Sequence, residues 1–321
     1  MHSHHRDRGG SSRSFTDPDE YQSAIRGGDA RYSVLGLGAF EAELTTIEFG
    51  RLTLQRGREH LPRLASSAMP PNKVGMLGWF GDRRLPVVRG LQMRRGDWMY
   101  LGPGMQSNHR TFGRNDFVAL TLDAGDLTRA AIALTGCALT ATPGMVLRPP
   151  DRLGDRLLST IGTATDMTRT ASGIFASRHA CDALEEALLR PMVMCLLHGE
   201  TRRESKPRGR RAAMAKTFEA VVEANFNRPL LVSDLCRIVG VSERTLRNIC
   251  QEQMGISPHR FLALRRLHLA RRALLRSDQQ TATVTGIAMS HGVWELGRFA
   301  VAYKSLFGES PSATLRRSFD M

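Results

Sequence analysis

Arg244, Arg247 and Asn248 lie within one short stretch, LVSDLCRIVGVSERTLRNICQEQMG, residues 231–255. A guanidinium can pair bidentately with O6 and N7 of guanine, and a carboxamide with N6 and N7 of adenine. Carried on one face of a helix, these groups could therefore read base edges in a major groove. The elements that would position them follow from spacing. Leu246, Ile249 and Cys250 recur at three- and four-residue steps and mark the opposite face of that helix as core. Ser242 is placed to cap it. Upstream, Leu235, Cys236 and Val239 give a shorter helix its apolar side, Gly240 permits a left-handed residue at its end, and Val241 plugs the turn. The stretch reads as a helix-turn-helix in which Ser242, Arg244, Thr245, Arg247 and Asn248 are the candidate DNA contacts. Any helical hairpin shows glycines and small caps, so one copy is weak evidence.

The pattern returns about fifty residues later. Leu235, Cys236, Gly240 and Val241 correspond to Ile287, Ala288, Gly292 and Val293. After a slip of one residue, Leu246, Cys250, Gly255, Ser257 and Pro258 correspond to Phe299, Tyr303, Gly308, Ser310 and Pro311. A repeat that keeps core positions while surface positions drift is hard to obtain by accident. Between the copies, Ser257 caps and Pro258 opens a helix with Leu264, Leu267, Ala270, Leu274 and Leu275 on one side. That spacer is roughly 28 Å long at 1.5 Å per residue. It would set the two reading helices about one duplex turn, ~34 Å, apart on one face of DNA. In the second copy the candidate contacts are Glu295, Leu296, Gly297, Arg298, Val301 and Lys304. Few of these can bond a base edge, so phosphate anchoring, thymine-methyl contact or shape reading is expected there, and direct readout from the first copy.

Residues from about 210 to 317 resemble the DNA-binding domain of the AraC/XylS family of bacterial transcription regulators. The resemblance is carried by the Gly240-Val241-Ser242 turn, the GISP segment starting at Gly255, RRLHLARRALL from Arg265 to Leu275, and VTGIAMSHGVWELGRFAVAYKSLFGESP from Val284 to Pro311. Two departures stand out. Val293 occupies a position where members often carry Phe, and Leu296, Gly297, Ala300 and Val301 stand where polar residues are common. The resemblance implies double-stranded promoter DNA and RNA polymerase as partners. It also implies an amino-terminal cupin-like sensor for a small-molecule effector, and helices that can pair two subunits into a homodimer.

Charge lies where that assignment needs it. Residues 202–321 hold 21 Lys/Arg against 10 Asp/Glu, whereas residues 1–201 hold 24 against 21, so most of the net +14 sits beside the repeat. Neutralising phosphates with release of counterions is the natural use of such an excess. Before it, residues 31–150 carry short segments with β spacing, such as FEAELTTIEFG, KVGMLGWFG, DWMYLG and NDFVALTLD, punctuated by Gly, Pro, Asn and Asp. The expected fold class is α+β: a cupin-like all-β barrel (31–150), a helical dimerisation or packing region (151–200), a charged linker (201–211), and an all-α tandem helix-turn-helix domain (212–321). Residues 1–30 read as a disordered polar tail. Pro191 should bend or interrupt the helix it sits in. In the last domain Phe218, Val221, Val222 and Phe226 should face inward from a packing helix.

The chemistry that the sequence excludes is also informative. The five cysteines form no CxxC pair, which disfavours a disulfide framework or zinc ribbon. No apolar run approaches the ~18 residues of a membrane helix, and the first residues lack a signal peptide's apolar centre. A cytoplasmic protein without membrane contact is expected. No His-x-His set, G-x-S-x-G elbow or Walker loop is present, so His60 and His109 read as surface or structural residues, and no metal, cofactor or catalytic residue is assigned. Trp79, Phe80, Trp98 and Tyr100 are candidates for lining a barrel mouth. The reading that results is an effector-responsive, sequence-specific transcription activator. The alternatives are a constitutive DNA-binding regulator and a barrel enzyme fused to a DNA-targeting module.

Overall fold

The computed structural model describes residues 8–80, 84–89, 91–139, 144–202, 213–214, 217–218, 220–221, 230–253, 255–278 and 280–317. The amino-terminal strands are β1 (Gly9–Phe15), β2 (Asp29–Val34), β3 (Ala42–Glu48), β4 (Thr53–Glu59), β5 (Arg63–Ala68), β6 (Lys73–Phe80), β7 (Val87–Val88), β8 (Leu91–Gln92), β9 (Trp98–Leu101), β10 (Gln106–Arg110), β11 (Asn115–Asp123), β12 (Val146–Arg148) and β13 (Glu200–Arg202). They form two sheets. The larger has the order β1-β3-β4-β11-β6-β9-β12-β13, the smaller β2-β5-β10-β7-β8, and the paired strands run antiparallel. Among the described residues no ladder joins them into one closed barrel.

Alternation along β11 shows how the larger sheet is used. Phe117 points into the space between the sheets, while Val118, Leu120 and Leu122 point to the other face. On that other face lie α2 (Ala124–Thr135), α3 (Asp151–Thr170) and α4 (Arg178–His198), which bury Leu127, Leu157, Ile161, Leu188 and Met192 against the sheet. A sheet covered on both sides has few exposed positions, and all four residues of β9 are buried. Helix α4 continues through Pro191 without the interruption that was one of the two expected outcomes. The Pro191 side chain is buried, and the packed face holds the helix across the one hydrogen bond that a proline removes.

Residues 9–24 are not a disordered tail. β1 pairs with β3 along its whole length, from Gly9 opposite Glu48 to Phe15 opposite Ala42. Helix α1 (Pro18–Ala24) follows, capped by Asp17, whose side chain accepts from the amides of Asp19 and Glu20, and anchored by the buried Tyr21. Backbone pairing plus two aromatic anchors orders a segment whose composition is too polar to announce it. The first seven residues lie outside the described ones. The start of the charged linker is likewise structured: Glu200–Arg202 pairs with β12, and Arg202 binds the buried Asp97 at 2.5 Å, as does Arg148 at 2.8 Å. Residues 203–211 lie outside the described ones.

The carboxyl-terminal helices are α5 (Val232–Val239), α6 (Glu243–Gln253), α7 (Pro258–Arg276), α8 (Val284–Ser290), α9 (Leu296–Phe307) and α10 (Pro311–Arg317). Their core gathers Leu235, Leu246, Ala270, Leu274, Phe299 and Tyr303 around α7. Phe218 is buried beside Phe261, and Val221 packs on the same core; Val222 and Phe226 lie outside the described residues. Leu35 and Leu64 of the amino-terminal domain join this core as well. The spacer α7 is therefore covered on two sides, which is why His268, Leu269 and Arg271 are buried in addition to the expected Leu264, Leu267, Ala270 and Leu274, while Leu275 is only half-buried.

Candidate nucleic-acid interface

The turn between α5 and α6 is built as its residues require. Gly240 has φ 72°, a left-handed conformation that suits glycine, and its amide donates to the Cys236 carbonyl. The Val241 amide donates to the same carbonyl at 3.0 Å. Ser242 then caps α6, its Oγ accepting from the Thr245 amide at 3.2 Å. The second copy repeats the left-handed glycine and the valine amide bond but not the rest: the Gly292 amide donates to Met289, and Glu295, at the start of α9, makes no side-chain cap bond. Gly292 has φ 74°, the Val293 amide donates to Ala288 at 3.0 Å, and Thr283 caps α8 through the Gly286 amide at 3.0 Å. Both copies end alike, with Gly255 at φ 66° and Gly308 at φ 77°, followed by Ser257 and Ser310 capping helices that begin at Pro258 and Pro311.

These turns fix which side of each second helix faces water. In α6, Leu246, Ile249 and Cys250 are buried, and Arg244, Thr245, Arg247 and Asn248 are exposed together with Ser242. In and before α9, Phe299, Tyr303 and Leu306 are buried, while Glu295, Leu296, Gly297, Arg298, Val301 and Lys304 are exposed. Each helix thus presents its candidate residues on one open face.

Two features of this face are not evident from residue type. Arg247 is bound to Glu243 at 2.9 Å, and Glu243 also stands 3.7 Å from His259; in the second copy Arg298 is bound to Glu295 at 2.7 Å. Arg247 and Arg298 are thus each held by an acid one turn away, which keeps the planar fork near the groove face but must be exchanged for a base or phosphate on binding. The second feature is Trp294, 71% exposed immediately before α9, with Val301 at 69% on the same unit. Helical periodicity alone does not mark Trp294. The signal was present in its position, because a large apolar residue at the entry of a solvent-facing helix has no core to fill.

A family profile described as a helix-turn-helix domain matches residues 235–317. The carboxyl-terminal domain belongs to the AraC/XylS family of transcription regulators. Within curated proteins, the chain is 36% identical over 142 residues to the probable thc operon regulatory protein of Rhodococcus erythropolis, covering 42% of this chain and 43% of that one. It is 36% identical over 104 residues to the XylDLEGF operon transcriptional activator of Pseudomonas putida, covering 32% of each. The chain thus spans less than half the length of these relatives. A crystal structure of a probable AraC family regulator from Rhodopseudomonas palustris is matched over 33% of this chain and 97% of that one, at 37% identity and a TM-score of 0.31.

The interior of the AraC-type chain carries less obvious chemistry. Of the four aromatics proposed to line a pocket, Trp79 faces the space between the sheets, whereas Phe80, Trp98 and Tyr100 belong to the helix-covered face. His60 is exposed beside Glu41 and Arg114. His109 is buried with its ring 5.5 Å from that of Trp79, and burial, aided by the charge of Arg63, pushes its pKa well below 6.5. Among the described residues no group of three or more His, Cys, Asp or Glu could hold a metal ion, and no helix is long and apolar enough to cross a membrane.

Proposed function

We propose that this protein is a cytoplasmic, sequence-specific transcription regulator that binds promoter DNA through two reading helices. In the first, Arg244, Arg247 and Asn248 reach base edges and Ser242 and Thr245 meet the backbone. In the second, Arg298 and Lys304 bind phosphates, Leu296 and Val301 contact thymine methyls, Gly297 allows close approach, and Glu295 orients Arg298. The single observation supporting this reading is that two copies of one turn, each with a left-handed glycine followed by a valine whose amide bonds back to the preceding helix, leave two helix faces open on the same basic domain.

The two-sheet domain acts as a cupin-like sensor, and a homodimer places two reading units along the promoter. An effector shifts the population of arrangements only by its differential affinity for them. The contact that carries this shift is the packing of the smaller sheet on α7. Activation then proceeds through a contact with RNA polymerase. Selection of bound genomic fragments with the full chain tests the proposal: recovery of one recurrent motif is expected, and recovery of fragments without any shared motif would overturn it.

A further inference from the structure

A group of arginines runs from the amino-terminal domain to the side of the first reading helix. Arg84, before β7, and Arg110, at the end of β10, stack on one ring, their Cζ atoms 3.7 Å and 4.5 Å from the centroid of Phe112. Arg110 also reaches the other domain. Its Nη1 fills the space that a Cβ on Gly255 would take, so the glycine that follows α6 admits this contact as well as its left-handed φ of 66°. Arg260, in the first turn of α7, completes the group. Burial first, and then the like charges of Arg84 and Arg260, lower the Arg110 pKa.

No acid among the described residues forms an ion pair with Arg84, Arg110 or Arg260, and Arg110 Nε is buried without a hydrogen-bond partner. Elsewhere in the carboxyl-terminal domain arginines are answered by acids, Arg237 by Asp234, Arg247 by Glu243 and Arg298 by Glu295. Like charges gathered in one place repel, and an anion would relieve that repulsion. The shared ring decides how the anion would be taken. A guanidinium held by its face keeps its N–H edge free, and that edge fits two phosphate oxygens at once.

Position selects the anion. Arg84 and Arg260 are exposed, so the group opens to solvent. His259, beside Arg260, stands 3.7 Å from Glu243, the acid that holds Arg247 on the reading helix. The arginines therefore continue sideways from the candidate groove face. A small anion at an open site competes with every other anion in solution, whereas a duplex passing across it releases counterions for each phosphate neutralised. Resting on the reading that α6 enters DNA, we propose that Arg84 and Arg110 of the amino-terminal domain, together with Arg260, grip the phosphate backbone beside the site of the first reading helix. The DNA-binding surface then spans both domains. A change in how the domains meet alters the affinity for DNA, and DNA in turn favours the arrangement that sets Arg110 on Gly255.

The test titrates the full chain against a selected fragment over a range of salt. Arg84→Gln should lower the salt slope by about one, and Arg84→Gln combined with Arg110→Gln by about two, with equal loss on every base-substituted version of the site. Arg84→Lys keeps the charge and should keep most of the slope. Arg169→Gln, an exposed arginine of α3 paired with Asp166, should leave the slope as it is. Ethylation of phosphates flanking the site should hinder the wild-type chain more than the double variant. An unchanged slope in Arg84→Gln and in the double variant overturns the proposal and leaves the reading helices standing, whereas a wild-type chain that binds no fragment overturns both. Inorganic phosphate without DNA is the second arm. If it raises the wild-type Tm saturably at millimolar concentration and the double variant's less, while the salt slopes on DNA are equal, the arginines hold a free anion and the proposal fails. Should Arg110→Gln fail to fold, Arg84→Gln and Arg84→Lys decide the matter.

Discussion

Arg271, in the middle of α7, donates to the Asp17 carboxylate at 2.5 Å, and the two side chains are only 4% and 12% exposed. Asp17 caps α1 of the amino-terminal domain, so one carboxylate ends a helix in one domain and holds the spacer helix of the other. Arg272 binds Asp19 at 2.9 Å beside it, and the Gly38 amide donates to the Ser305 carbonyl at 3.0 Å. Helix α7 is therefore fastened to the amino-terminal domain.

Replacing Arg271 by Met should cost about 3–5 kcal/mol of stability, because it leaves Asp17 buried without its cation. Urea unfolding of the full chain measures this. A loss below about 1 kcal/mol would show that the pair does not fasten the domains.

Acid should loosen the same contact. His268 is buried on α7 near the Val34 carbonyl, at 3.3 Å, and burial first, then the charges of Arg271 and Arg272, outweigh Val34 and Asp19 to lower its pKa to about 4. A lowered histidine pKa means that the unfolded chain binds the proton more readily. Stability from this group is complete above pH ~6.5 and is lost as pH falls from there to about 4. Asp17 behaves differently: burial raises its pKa, but the hydrogen bond and charge of Arg271 outweigh burial and hold it below 3.8, so its contribution is lost only in stronger acid. In a pH series of Tm, His268→Gln should flatten the decline between pH 6.5 and 4. An unchanged slope would remove His268 as the cause.

In the first reading helix, Arg247→Ala should cost about 1–3 kcal/mol at particular base positions and relax specificity there. Glu243→Gln should tighten binding about two- to fivefold, since the pair that holds Arg247 is exposed and weak and the acid repels phosphate. Titration against a selected site and its base-substituted versions reads both. Equal loss across all sequences for Arg247→Ala would make it a phosphate contact instead.

In the second reading helix the expected effects are of another kind. Lys304→Ala should lower the salt slope of binding by about one, and a slope that stays the same would refute a phosphate contact. Trp294→Ala should change stability by no more than about 0.5 kcal/mol, because the side chain is 71% exposed, while lowering affinity. An unchanged affinity would show that Trp294 makes no contact with DNA.

The sequence shows the carboxyl-terminal domain more completely than the amino-terminal one, for a physical reason. Gly240, Ser242, Gly292 and Ser310 are turn and cap residues whose conformations follow from their own chemistry, and Leu246 and Phe299 repeat at helical spacing. The smaller sheet is hard to see because β5 and β10, RLASSA and QSNHR, carry Ser, Asn and charged residues on strands that face a polar interior on one side and the DNA-binding domain on the other. β1 is held by backbone pairing that composition does not register. Phe80, Trp98 and Tyr100 read as pocket candidates in the sequence because a strand's two faces look alike when helices cover the second. The acids that hold Arg247 and Arg298 could have been found from i,i+4 and i,i+3 spacing.

Footprinting of the full chain on a selected genomic fragment in dilute buffer tests the central claim most directly. Two protected windows, centred about ten base pairs apart on one face of the duplex, are the predicted result. A single window that is unaffected by Arg298→Ala and Lys304→Ala, or no protection on any fragment tried, would contradict the claim that both helices read DNA.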